Sequence, residues 1–413
     1  MGMIINIDEA LKLRTDYNVL KEPLHEMMRR QQEAWERENP IDMLFVRNSI
    51  SSFQETYTSS IGFAHAFTET SDYAVGPIFN TAEGFAATYR TRTFQGGFII
   101  TQQALEDRQY GRIKDDAAQF VKRWNGDIVE YSMHAILGGF VETTWTGGDG
   151  KASRLMLKSA DTVDGDIMNT NKNWLFGIHK TVKREGDSNT PISQYNIYQP
   201  TNAINLTDTD VVPKVAELIN AVITEMENYK DDNGKIAGVL GAKSIVCAND
   251  QRLKAILTSA VETDMFKAGA GTIQNLAYKR ADVKTTPYLN DIVNKFVTTS
   301  GGSTAIPMFF IVDKGYNAEN HGPELTERIQ FTLDAFNHRE APQGIKYEGR
   351  QRFDINVATW RGIAAVFMNA SGIYVGTTQI NSRSTVSQVK QLAVYGTTTP
   401  VTVVGTVTTQ AAN

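Results

Sequence analysis

Seven apolar residues between Ile113 and Ala135 constrain this chain most. Ile113, Ala117, Phe120, Trp124, Ile128, Tyr131 and Ala135 follow one another at steps of 4, 3, 4, 4, 3 and 4. At 3.6 residues per turn those steps put all seven on one helical face. The spacing predicts a helix of about 25 residues, ~38 Å long at 1.5 Å per residue. Gly138-Gly139 supplies a C-terminal stop. Gly126, inside the helix, costs up to about 1 kcal/mol relative to Ala and marks a place for a bend.

Upstream the period changes to two. Tyr57, Ile61, Phe63, His65 and Phe67 alternate with Thr58, Ser60, Gly62, Ala64 and Ala66, which reads as a strand. After a loop carrying Gly76, Pro77 and Gly84, the run Tyr89-Arg90-Thr91-Arg92-Thr93-Phe94 reads as the returning strand. A two-stranded hairpin is marginal alone in water, and no local helix is at hand to cover this one. The expectation is that another chain covers it. Tyr57, Ile61, Phe63, Phe67, Tyr89, Arg90, Arg92 and Phe94 are therefore the expected inter-subunit contacts, with Arg90 and Arg92 on one strand face placed to pair with acids across the interface.

Before the hairpin, residues 5–39 mix acids and bases at helical spacing, with Leu11, Val19, Leu24, Met27, Met28 and Trp35 as a thin apolar stripe. That predicts a helical arm docked on something else, divided at Pro23. After the long helix, residues 140–201 have the Gly, Asp, Asn, Ser and Thr content of loops with short strands. A second helix follows Asp210, with Pro213 near its start and Val215, Leu218, Ile219, Val222, Met226 and Tyr229 at helical spacing. Lys243–Ala248 and Met308–Val312 read as buried strands, Asn249-Asp250 as a cap, and Gln251–Ala260 as a helix, together an α/β layer. Tyr347–Met368 reads as two strands around Trp360-Arg361-Gly362. Residues 376–413, rich in Thr and Val and charged only at Arg383 and Lys390, read as a β-prone tail. Such a tail either pairs with an edge strand, of its own or of a neighbouring subunit, or stays flexible.

The chemical motifs are incomplete. Asn233-Gly234-Lys235-Ile236 lacks the earlier glycine and the Ser/Thr of a phosphate loop, and Gly269-Ala270-Gly271 has Gln274 where a dinucleotide fold wants a third glycine. His25-Glu26-Met27-Met28 is followed by Arg29, so it offers no zinc pair, and the acidic Asp161–Asp166 run fails the calcium spacing. Gly301-Gly302-Ser303-Thr304-Ala305 lacks the last glycine of a nucleophile elbow. Asp115-Asp116 and Asp231-Asp232 are adjacent pairs of the kind that 46 acids produce by chance. The single cysteine, Cys247, sits in a buried-strand pattern and excludes an internal disulfide. The expectation is no catalytic centre, cofactor or metal.

Composition narrows the rest. The 413 residues amount to two or three domains of chain. A 41% hydrophobic content is enough for a large core. With 41 Lys+Arg against 46 Asp+Glu, a net charge of −5 disfavours tight charge-driven nucleic-acid binding. No apolar run reaches the ~18 residues of a membrane span, and the N-terminal MGMIINIDEALK lacks the order of a signal peptide. Synthesis and retention in cytosol are expected.

The order of elements, a charged arm, an unsupported hairpin, a long amphipathic helix, an α/β layer and returning strands, resembles the major capsid protein of tailed bacteriophages, the Hong Kong 97-type fold. The resemblance is carried chiefly by Phe98-Ile-Ile-Thr-Gln-Gln-Ala-Leu-Glu-Asp107 leading into the helix. Gly147-Gly148-Asp149-Gly150-Lys151, Ser244-Ile-Val-Cys-Ala-Asn-Asp250, Arg350-Gln-Arg-Phe-Asp354 and Ala364-Ala-Val-Phe-Met368 are similar to recurrent family stretches. It covers roughly residues 50 to 375, by order more than by identity.

The resemblance implies an α+β fold with an N-terminal arm over 1–50 and an extended β-hairpin loop over 51–100 that lies on an adjacent subunit. It implies a peripheral domain with a long spine helix over 101–200, an axial domain over 201–335 packed around hexamer and pentamer centres, peripheral return strands over 336–376, and a β-prone tail over 377–413. The implied role is a shell subunit that assembles through hexamers and pentamers, in the host cytoplasm, into an icosahedral virion head enclosing double-stranded DNA. Partners would be sister copies, scaffolding, portal and decoration proteins, weak nonspecific contact with packaged DNA, and no membrane. Some relatives crosslink through a lysine on the extended loop, but no lysine occurs between Lys21 and Lys114. Others carry a long N-terminal scaffolding region, whereas about 50 residues precede the hairpin here, which implies a separate scaffolding protein or none. The alternatives are an encapsulin-type compartment shell and a cytosolic α/β hydrolase or transferase.

Overall fold

Alternating strands and uninterrupted apolar strands build the two largest sheets, which share one core. The computed structural model describes residues 26–35, 39–60, 83–107, 110–158, 174–180, 192–268, 271–290, 293, 297–298, 305–338, 344–369, 373–375, 378–379 and 389–394. A helix over 26–35 precedes strands β1 (Val46–Ser49), β2 (Gln54–Ser60), β3 (Glu83–Arg90) and β4 (Arg92–Thr101), and then the long helix α1 (Tyr110–Leu137). Strand β5 (Ile197–Pro200) leads to α2 (Val211–Glu227), β6 (Lys243–Ala248), α3 (Gln251–Glu262) and β7 (Ala281–Thr286). Then come β8 (Met308–Asp313), the short helix α4 (Lys314–Asn320), the long strands β9 (Glu324–His338) and β10 (Gly344–Asn356), β11 (Ile363–Phe367) and β12 (Lys390–Leu392). The protein is a mixed α+β fold with several sheets.

The first sheet has the order β1-β9-β10-β4 and carries α1 on one face. Strict alternation along β10 buries Ile345, Tyr347, Gly349, Gln351, Phe353 and Ile355, the period-2 signature of a strand with one covered face. Phe98 stacks on Tyr347 at 5.2 Å and touches Phe120 of α1 at 5.1 Å. Helix α1 runs 28 residues through Gly126 without a break. Its first half buries Ile113 and Ala117, as the spacing predicts, and also Val121, while Phe120 and Trp124 of the expected stripe are half-buried; from Tyr131 to Leu137 nearly every side chain is enclosed. It stops where the chain turns tightly: a Cβ on Gly138 would lie 2.8 Å from the Ala135 carbonyl oxygen and 2.9 Å from that of Leu155. The arm helix over 26–35 docks on its own chain, with Met28 buried among Ile100, Ile113, Ala117, Val121, Ile345 and Tyr347. Pro23 lies outside the described residues.

The second sheet has the order β7-β6-β8-β11-β5-β12. Strands β6, β8 and β11 are buried at every position, as expected where both faces are covered. Helix α2 buries Val211, Val215, Leu218, Ile219, Val222 and Met226, and α3 is capped by the Asp250 carboxylate, which accepts from the amides of Arg252 and Leu253. The predicted strand over Lys243–Ala248 and the Asp250 cap agree with the structure. The grouping of later strands does not. The two strands read around Trp360 part company, β10 joining the first sheet and β11 the centre of the second. Likewise β9 belongs to the first sheet and β5 to the second, so sheet membership crosses the expected boundaries at 200 and 335. Alternation and burial report a strand's faces and not its neighbours, which is why the sequence leaves that pairing open. Strand β12 pairs in parallel with β5, so this part of the tail finds an edge on its own chain; residues 395–413 lie outside those described.

Candidate assembly interface

Strands β2 and β3 form an antiparallel two-stranded ribbon of their own, with Gln54 opposite Arg90 and Tyr57 opposite Ala87. One face is seated on the body. Tyr57 and Tyr89 pack at 4.7 Å, Tyr57 lies 4.3 Å from the His321 ring, and Ala87, Tyr89 and Ala358 make a small buried cluster. The Tyr89 hydroxyl donates to the His321 carbonyl at 3.3 Å. Two further bonds fasten the base, from the Arg90 amide to Asn356 Oδ1 (3.4 Å) and from Asn356 Nδ2 to the Arg90 carbonyl (3.3 Å). The other face, Thr56, Thr58, Ala86 and Thr88, is exposed.

The expected contact residues divide into three groups. Ile61, Phe63 and Phe67 lie outside the described residues. Tyr57 and Tyr89 are on the seated face, Tyr89 almost wholly buried, and Arg90 is exposed, with its Nε donating to Gln54 Oε1 at 3.0 Å. Arg92 and Phe94 require a correction. The returning strand begins at Glu83, within the stretch expected as loop, and does not run on to Phe94: the chain leaves the ribbon at the buried Thr91, and β4 enters the first sheet against β10. Phe94 stacks on Phe353 at 4.5 Å with Tyr131 and Trp145 around it. Arg92 pairs with Asp354 of its own chain at 2.9 Å. Alternation continues unbroken across Thr91, so periodicity carries no sign that the strand changes sheets.

That Arg92–Asp354 pair is part of a buried polar junction. The Tyr131 hydroxyl donates to Asp354 Oδ1 at 2.6 Å, and the Ile355 amide donates to the same carboxylate at 2.8 Å. Burial raises the Asp354 pKa, opposed by the charge of Arg92 and the Tyr131 bond. Arg92→Ala removes the only cation paired with it among the described residues. Because the guanidinium is partly exposed, the expected loss is modest, about 1–2 kcal/mol in urea denaturation of the chain at pH 7. Raising the Asp354 pKa further, the substitution should cost less at pH 5 than at pH 7.

No family model matches the chain, and no curated protein does. Among solved structures it is similar to the capsid of the Myoviridae phage XM1, with a TM-score of 0.44 and 10% identity over 79% of this chain and 90% of that one. It is similar to a Mycobacterium phage Patience structure, with a TM-score of 0.43 and 12% identity over 88% and 90%. A virus-like particle from Pyrococcus furiosus gives a TM-score of 0.39 and 8% identity over 84% and 98%.

Sequence reasoning missed the residue on which the ribbon sits. His321 is the left-handed C-cap of α4, at φ 55°, and its Nδ1 lies 3.1 Å from Glu324 Oε1. Asn48 Nδ2 donates to the other Glu324 oxygen at 3.0 Å. Burial raises the Glu324 pKa, against the opposing Asn48 bond and the His321 ring. The signal was present as His321-Gly322-Pro323, a helix stop, but nothing in it pointed to a strand more than 200 residues away. Among the described residues no group of three or more His, Cys, Asp or Glu could hold a metal ion, and no helix is long and apolar enough to cross a membrane.

Proposed function

We propose that this chain is the major capsid protein of a tailed double-stranded DNA bacteriophage, assembling through hexamers and pentamers into a closed icosahedral head. The observation that carries the reading is the ribbon. It bonds to no third strand among the described residues, is held at its base by Tyr57, Tyr89 and His321, and shows an open face at Thr56, Thr58 and Thr88. A ribbon of this kind is marginal without cover, and a sister copy repeated by symmetry supplies cover at every position of a shell. On this reading Ile61, Phe63, Phe67 and Arg90 meet the neighbour, α1 is the spine of a peripheral domain, and the six-stranded sheet forms the axial domain. The element order and the Phe98–Asp107 entry to α1 support the same assignment. Stability and assembly are then linked by mass action.

Sedimentation and negative-stain microscopy of the purified chain test the reading. The expected result is closed particles, or hexamers and pentamers that convert to them as concentration rises. A monomer at every concentration and salt condition overturns it.

A further inference from the structure

The face of the first sheet opposite α1 presents two arginines side by side. Gly349, Gln351 and Phe353 of β10 are buried, so Arg350 and Arg352 project the other way. Arg350 lies between Gln95 of β4 and Thr332 of β9, and Arg352 between Thr93 and Ile329. Thr93, Gln95 and Thr332 are exposed, leaving this face open. Both arginine Nε atoms are enclosed and lack a hydrogen-bond partner. Among the described residues neither guanidinium has a carboxylate within ion-pair distance: Glu348 is paired with Lys346 at 3.1 Å, and the nearby Asp334 makes no pair with them. An arginine fork held without its anion is a recognition surface awaiting one.

The same chain contains a segment of opposite character. Between Arg47 and Arg90 there is no Lys or Arg, but there are four acids, Glu55, Glu69, Asp72 and Glu83. Apart from Arg90 at its base, the ribbon and its connecting segment thus carry only acids. We propose that Arg350 and Arg352 form the receiving site for the acidic ribbon segment of a second copy, with Glu69 and Asp72 as the carboxylates they take. This rests on the proposed shell function and names the surface on which the ribbon lands. A nucleic-acid phosphate is the less favoured ligand, because Glu348 and Asp334 stand on the same face and the chain is acidic overall.

A charge swap in the full-length chain is the test, with particle formation followed by sedimentation and folding by the melting of the unassembled subunit. Arg350→Glu/Arg352→Glu is expected to raise the concentration needed for particles by about tenfold or more, since two weak pairs are lost at each repeated contact. The melting temperature should stay unchanged; if the reversal unfolds the subunit, Arg350→Gln/Arg352→Gln decides, with a smaller shift in the same direction. Glu69→Lys/Asp72→Lys should shift assembly likewise, and combining it with the arginine reversal should restore assembly to near wild type. If the wild-type chain never forms particles, the shell function falls and this pairing with it. If it does, but the arginine variants assemble equally well or the combination is not restored, only the pairing is overturned. Equal assembly with lost retention of double-stranded DNA would assign the arginines to phosphate instead.

Discussion

Between pH 7 and pH 4 the monomeric chain is expected to lose about 3 kcal/mol more stability than its His179→Phe variant. His179 is buried with its ring stacked on Trp360 at 4.1 Å and nearly parallel. Asn196 holds it. The Asn196 Nδ2 donates to the carbonyls of Leu175 and Ile363, and its Oδ1 accepts from the Gly177 amide. That fixes Oδ1 as the acceptor for His179 Nε2, 3.3 Å away, and so fixes the neutral tautomer that carries its proton there. Burial, helped by the nearby Arg361 charge, pushes the His179 pKa down to about 3, against the Asn196 bond. In the unfolded chain the imidazole titrates near 6.5. Below that pH the unfolded state binds a proton the folded state refuses, so stability present above pH 6.5 drains away down to about pH 3. Buried carboxylates act in the opposite sense. Asp354 and Glu324 have raised pKa values, so their penalty is felt as pH rises and eases on acidification. The difference between wild type and His179→Phe removes their contribution, because Phe keeps the stack on Trp360, and the bond it loses to Asn196 shifts stability equally at both pH values, leaving the titration as the pH-dependent difference. Urea denaturation at the two pH values reads it directly; parallel profiles would show that His179 takes up its proton without cost.

His179 also shows where sequence reading stops. Its neighbours in space, Trp360 and Asn196, lie far from it along the chain or in another strand, and a lone histidine between loop-like stretches gives no hint of them. Local features fare better. The helical stripe of α1, the alternation of β10, the apolar runs of β6 and β8 and the Asp250 cap depend on residues within a few positions of one another, and those are what periodicity reports. The ribbon was legible only in part, at Tyr57–Ser60 and at Tyr89-Arg90, because Gly84 reads as loop although β3 already begins at Glu83. Its continuation to Phe94 was not, because a strand that moves from one sheet to another keeps its period-two pattern. Sheet order is a long-range property. Strand β11 is as apolar as β8 whether it lies beside β8 or beside β10, so the actual placement of β11 next to β8 required coordinates. The unpaired Arg350 and Arg352 were likewise invisible, since the sequence shows charges but not which of them are already neutralised.

The second large effect is expected where β6 begins and β8 ends in the six-stranded sheet. Lys243 of β6 and Asp313 of β8 stand directly opposite each other in the antiparallel register, with side chains 2% and 0% exposed. The Lys243 ammonium donates to Asp313 Oδ2 at 2.7 Å, to the Gly241 carbonyl at 2.7 Å and to the Val239 carbonyl at 3.0 Å, which uses all three of its protons. Asp313 Oδ1 accepts from the Tyr316 amide at 3.0 Å and so caps α4. Lys243→Met therefore strands a buried carboxylate with a single amide donor, and a loss of about 3–5 kcal/mol is expected. The double variant Lys243→Met/Asp313→Asn removes both charges while the Asn oxygen still accepts from Tyr316. It should recover more than half of that loss, because the penalty lies in the unpaired charge and not in the absence of the pair. The consequence extends to the ribbon. Helix α4 ends at His321, the residue against which Tyr57 and Tyr89 rest. Losing the cap should therefore speed amide exchange at Tyr57 and Tyr89 in Asp313→Ala more than in Lys243→Met, although both lose the ion pair. Equal exchange in the two variants would mean that the ribbon's seat is independent of α4.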